Sequence, residues 1–99
     1  LILWQGKIFG YDFAVGYWFG DWSPLRHAMV GVAILITSYA VLNLSMFASL
    51  IVSFTWALTW EIQDGLKVID KPSSYFGVVD FGAVLMASSI VAFIMKVFI

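Results

Sequence analysis

The sequence predicts an all-α membrane protein. About three short transmembrane helices are expected, a helical hairpin plus a C-terminal helix, behind an aromatic N-terminal segment at the membrane interface. Three observations predict this. Hydrophobic residues make up 63% of the chain and charged residues 11%, against about 45–50% apolar and about 25% charged in soluble domains. A chain of 99 residues is too small to hide that much apolar surface, because small domains bury only about 60–65% of what the unfolded chain exposes. Aromatic residues reach 18%, which suits a chain that meets two membrane–water interfaces.

Residues 1–22 are apolar but interrupted by Gly6, Gly10, Gly16 and Gly20 and charged at Lys7, Asp12 and Asp21. Their Trp, Tyr and Phe content predicts an interfacial or partly inserted segment. The four-residue spacing of the glycines, Gly16 included, would let a helix approach a partner closely. Flexible glycines in a surface segment are the simpler reading.

Residues 23–99 form the expected helical membrane domain. Ser23-Pro24 reads as a helix start, with serine as cap and proline in the first turn. The apolar run from Leu25 to Trp60 would make one helix about 54 Å long, against a hydrocarbon core of about 30 Å. It should therefore fold as two antiparallel helices, about 24–42 and 46–63, broken at Asn43-Leu44-Ser45. Gly65 reads as the residue that ends the second helix. Residues 66–77 are the polar connection, and a third helix runs over about 78–98. Asp80 in its first turn and Lys96 in its last suit the helix dipole.

This topology brings the start of the first helix, the end of the second and the start of the third to one membrane face. His27, Glu61, Asp64 and Asp80 then share a level. Ionisable groups near lipid tend to face a bundle interior or a watery cavity, so one imidazole and three carboxylates could hold a divalent cation or relay protons. The plainer reading is structural: Arg26 pairs with a carboxylate, Asp80 caps its helix and Glu61 sits among headgroups. Ser45, Ser49, Ser53 and Ala57, and again Ala83 and Ala87, recur at four-residue intervals and read as close-packing surfaces. Trp56 and Trp60 read as interface anchors. By the positive-inside rule the side carrying Arg26 and the 65–77 loop, with Lys67 and Lys71, is cytoplasmic.

Some functions are excluded. Net charge is −1 and there is no basic stripe, which argues against nucleic acid as a partner. There is no cysteine, so disulfides, thiolate metal sites and cysteine nucleophiles are ruled out. The serines of the second helix have no base near them in the hydrophobic segment, so none of them reads as a nucleophile.

Asp21 with Arg26-His27, then Trp60-Glu61-Ile62-Gln63-Asp64-Gly65, then Gly77-Val78-Val79-Asp80 resemble the pattern of small VanZ-like membrane proteins and the related YfiM-like group over about residues 21–98. Arg26 abuts His27 directly, and Ser88-Ser89 stand where that family carries a glycine. The resemblance implies an envelope protein, linked in some members to glycopeptide resistance. Separately, Tyr11-Asp12-Phe13-Ala14-Val15-Gly16 resembles the opening of a photosynthetic reaction-centre L subunit.

The expectation for function is a non-enzymatic subunit with a structural or assembly role in a larger membrane complex, with the bilayer and other membrane subunits as partners. One alternative is an envelope factor using the polar cluster on a lipid-linked substrate or a cation. Another is an accessory subunit of a pigment or electron-transfer complex with His27 as axial ligand. No cofactor is predicted beyond lipid contacts, with a pigment or a divalent cation as the alternatives to test.

Overall fold

A computed structural model describes residues 2–17, 22–67 and 75–98. It contains two strands, β1 (Ile2–Ile8) and β2 (Tyr11–Gly16), then helices α1 (Ser23–Ala40) and α2 (Met46–Leu66), a short strand β3 (Phe76–Gly77), and helix α3 (Val78–Phe98). The expected all-α architecture is therefore wrong: the helices carry a three-stranded mixed sheet of order β1-β2-β3. The N-terminal segment adds strands, not helix, to the fold. It is an antiparallel hairpin with Gly6 opposite Phe13, Lys7 opposite Asp12 and Ile8 opposite Tyr11. Its two-residue turn places Phe9 at φ 51 and Gly10 at φ 84. The type I′ hairpin turn, which matches strand twist, needs positive φ at both central residues, and Phe9 takes a conformation that bulky residues seldom adopt. Gly16 is buried in β2, pairing with Ile2 and, in parallel register, with Gly77 of β3. The glycine spacing thus serves no helix–helix contact in this segment; Trp18, Phe19, Gly20 and Asp21 lie outside the described residues, as does Lys71.

The helical break falls at the expected Asn43–Ser45 turn. α1 ends at Ala40, and Asn43 takes φ 57. The Ser45 side chain then caps α2, its Oγ accepting from the Ala48 N–H at 3.1 Å. α2 runs on past Gly65 to Leu66, so Gly65 does not end it. Its true role is close approach: a Cβ there would lie 2.5 Å from Cε2 of Phe13. Phe13 docks the hairpin on the last turn of α2, and its ring continues through Phe76 to Phe81 at centroid distances of 6.2 and 5.5 Å.

The helices pack through small residues. Ser49, Ser53, Ala57, Glu61 and Gly65 are buried at every fourth position of α2, Gly31, Leu35 and Ser38 in α1, and Val84, Ser88 and Ala92 in α3. Ala83 and Ala87 are only half-buried, one position off the buried stripe. All three helices meet at Gly31. A Cβ there would lie 2.6 Å from Val84 Cγ1 and 3.3 and 3.4 Å from the Ser53 and Ser88 hydroxyls. Ser53 Oγ donates to the Gly31 carbonyl at 2.8 Å and lies 2.9 Å from Ser88 Oγ. A hydroxyl has one proton, so Ser88 is the donor in the second bond. Ser49 donates to the Ser45 carbonyl at 2.8 Å. The contact pairs run antiparallel between α1 and α2 and between α2 and α3.

The expected three transmembrane helices also need correction. Among the described residues α3 alone is long and apolar enough to cross a membrane. Arg26 and His27 lower the hydropathy of α1, and Glu61, Gln63 and Asp64 that of α2. Only 17% of the most apolar stretch of α3 is buried, unlike the core helix of a soluble domain.

Gly31 and Gly82 offer a matched test, since nothing lies within 4 Å of a Cβ placed on Gly82. Gly31→Ala should lower the thermal midpoint in mild detergent, by an overpacking cost of about 1–3 kcal/mol. Gly82→Ala should raise it, by up to about 1 kcal/mol of helix propensity. Equal effects would contradict the contact at Gly31.

Candidate functional site

The site lies where the first turn of α1, the last turns of α2 and the start of α3 come together under the sheet. Each element delivers one ionisable side chain. His27 sits one turn into α1, Glu61 belongs to the buried stripe of α2, and Asp80 stands in the first turn of α3. One nitrogen or oxygen from each lies within 4.8 Å of the other two. Asp64 does not join them: it is one turn beyond Glu61, and its Oδ1 is 3.8 Å from Lys67 Nζ. Of the packing residues named from sequence, Ser49, Ser53 and Ala57 are buried along α2 below the site, while Ala83 and Ala87 sit at the edge of the stripe.

Ser23 organises the polar edge. It does not cap its helix: the cap position is Trp22, with no side-chain hydrogen bond. Instead Ser23 Oγ donates to Asp80 Oδ2 at 3.0 Å, tying α1 to α3. His27 Nδ1 lies 3.0 Å from the Ser23 carbonyl, 3.2 Å from Ser23 Oγ and 3.4 Å from Asp80 Oδ2. The serine proton is committed to Asp80, and the other neighbours of Nδ1 are acceptors, so the network assigns the ring proton to Nδ1. Gly77 closes the opposite side; a Cβ there would sit 3.2 Å from Asp80 Oδ2.

Glu61 is the anomaly. Its residue is 2% exposed, and neither carboxylate oxygen has a hydrogen bond of good geometry. The Gly77 backbone N–H approaches it without completing one. The buried serines of the same stripe are all satisfied. A bare carboxylate in this position loses its hydration with nothing to replace it, a cost of several kcal/mol. It must be neutralised by a proton or a cation.

One concave surface includes His27 of the triad, and a second lies on another face of α1. A cleft of about 340 Å³ is lined by Ser23, Arg26, His27, Val30, Trp56 and Trp60. The His27 ring stands 6.2 and 6.3 Å from the Trp56 and Trp60 rings, which are 6.2 Å from each other. An apolar groove of about 420 Å³ runs along α1 from Leu25 to Ile36 and is closed by Ala87 of α3. From sequence both tryptophans read as anchors and Ser23 as a cap; no local pattern announces that they form one wall with His27. Comparison with protein families, characterised proteins and solved structures finds no match to this chain.

Glu61→Gln keeps the shape and removes the charge. In chelator-treated protein at neutral pH it should raise the thermal midpoint. Ser23→Ala should lower it, by about 1.5–3 kcal/mol for a hydrogen bond to a charged acceptor. A lower midpoint for Glu61→Gln would show that the carboxylate is well partnered.

Proposed function

We propose that this chain is a small integral membrane protein that seats the anionic headgroup of an amphipathic, phospholipid-like ligand at one membrane face, next to its polar triad. The observation that carries the reading is that α1 bears two concave surfaces of different chemistry. The cleft offers a guanidinium and two indole rings, and the groove, on another face of the same helix, is apolar for three turns. Arginine suits phosphate oxygens, tryptophan suits the headgroup level, and an apolar groove suits an acyl chain. In this arrangement α3 crosses the bilayer, and α1 and α2 stand beside it with apolar flanks in lipid. Met29, Ile36, Phe47 and Ile51 are exposed on those flanks, as is Phe93 on α3. The triad and the sheet then lie at the headgroups, on the side of Arg26 and Lys67, which the positive-inside rule assigns to the cytoplasm. The resemblance to VanZ-like envelope proteins points the same way.

A second reading is a structural or assembly subunit of a larger membrane complex. One observation favours it: β1 is a sheet edge with Ile2, Leu3, Trp4 and Ile8 exposed, and such an edge can pair with another chain.

Alkaline carbonate washing should leave the protein in the membrane. Native mass spectrometry from mild detergent should show bound anionic phospholipid. Arg26→Gln combined with Trp60→Ala should cut its retention about tenfold, as a loss of ~1.4 kcal/mol would, with Asp64→Asn unchanged. Release by carbonate overturns the membrane placement. Equal lipid retention by all variants overturns the headgroup site, and a stoichiometric larger assembly without retained lipid favours the second reading.

A further inference from the structure

We propose that His27, Glu61 and Asp80 form a binding site for one divalent first-row transition-metal ion. Two independent features lead there. Three potential ligands from three different helices converge within 4.8 Å. One of them, Glu61, is buried with both oxygens lacking a completed hydrogen bond and belongs to that convergence.

The donor set selects the class of ion. One imidazole nitrogen and two carboxylates, with no thiolate, suit zinc, manganese or ferrous ions. Calcium takes six to eight oxygen ligands, and magnesium keeps most of its water and does not seek imidazole. Charge also balances: two carboxylates and a neutral imidazole offset a dication. Bonds of about 2.0–2.1 Å hold tetrahedral donors about 3.4 Å apart. His27 Nδ1 and Asp80 Oδ2 stand at 3.4 Å, and rotation of the Glu61 side chain closes the third side.

Coordination through Nδ1 requires the neutral tautomer with its proton on Nε2. Moving that proton releases the bond to the Ser23 carbonyl, and no proton leaves the ring. Ser23 Oγ continues to donate to Asp80 Oδ2, which orients the carboxylate as outer partners of metal ligands do. Three protein ligands leave one position open on a four-coordinate ion, and His27 shares its wall with the Trp56–Trp60 cleft. The site is independent of the lipid reading, although a cation there would add positive charge beside the proposed headgroup.

The test uses the full chain in mild detergent, stripped with chelator and titrated with zinc. Calorimetry and elemental analysis should give one zinc per chain, and zinc should raise the thermal midpoint. His27→Ala, Glu61→Gln and Asp80→Asn should each abolish the equimolar binding, Ser23→Ala should weaken it roughly tenfold, and Asp64→Asn should leave it unchanged. Circular dichroism checks that each variant is folded; if Glu61→Gln does not fold, Asp80→Asn and His27→Ala carry the decision. Absence of equimolar zinc in the parent chain overturns the proposal, as does zinc that persists in the folded ligand variants. Lost zinc with retained lipid in these variants is expected. Lipid lost while zinc binding survives, as for Arg26→Gln with Trp60→Ala, bears on the headgroup site alone.

Discussion

At Gly31 the backbone of α1 comes within hydroxyl reach of both other helices, and the remaining geometry follows from that approach. Ser53 bonds to the Gly31 carbonyl and Ser88 completes the chain of hydroxyls. A side chain at position 31 would push Val84 aside. Such contacts suit helices that cannot rely on a large apolar core; Leu35 and Val84 are the largest aliphatic side chains fully buried among the described residues. Interior hydroxyls bonded across helices hold orientation as well as distance. They also fix which face of α2 points inward, and so carry Glu61 to the same interior line four residues beyond Ala57.

The interior therefore changes character along its length. Around Ser53 every buried polar atom has a partner. Two turns further on, the same stripe delivers a carboxylate without one, beside an imidazole and a second carboxylate. Half-satisfied polar clusters are costly to a fold. Their presence at a convergence of three helix ends marks a place where something other than stability set the residue choice.

Much of the helical layout was legible because it follows from length and periodicity. The turn at Asn43–Ser45 is carried by an asparagine that takes positive φ and a serine that caps α2, and α3 follows from its apolarity and its first-turn acid. The convergence of His27, Glu61 and Asp80 follows from counting antiparallel helices. The sheet was not legible. Its hairpin turn is Phe9-Gly10 rather than a common turn pair, its glycines mimic a helix-packing spacing, and β3 has only two residues. Gly65 misled for a related reason: a glycine near a helix end reads as a stop, whereas here it clears space for Phe13, a contact from distant sequence. Asp64 shares the face of Glu61 by spacing, yet one further turn carries it out to Lys67. Ser23 and the tryptophans acquire their roles only when α1, α2 and α3 are assembled.

The pairing of β2 with β3 joins residues near the start of the chain to residues that follow α2. Between them lie both helices of the hairpin. Closing so long a loop costs chain entropy before any strand contact can return it, and such non-local pairings form late. During synthesis β1 and β2 emerge before the helices, but β2 gains its second neighbour only after α1 and α2 have been made. The docking surface of Phe13 likewise appears only with the last turn of α2. The hairpin is thus made before the helices it packs on and is the last element to be locked in place. Maturation of the fold is paced by its C-terminal half.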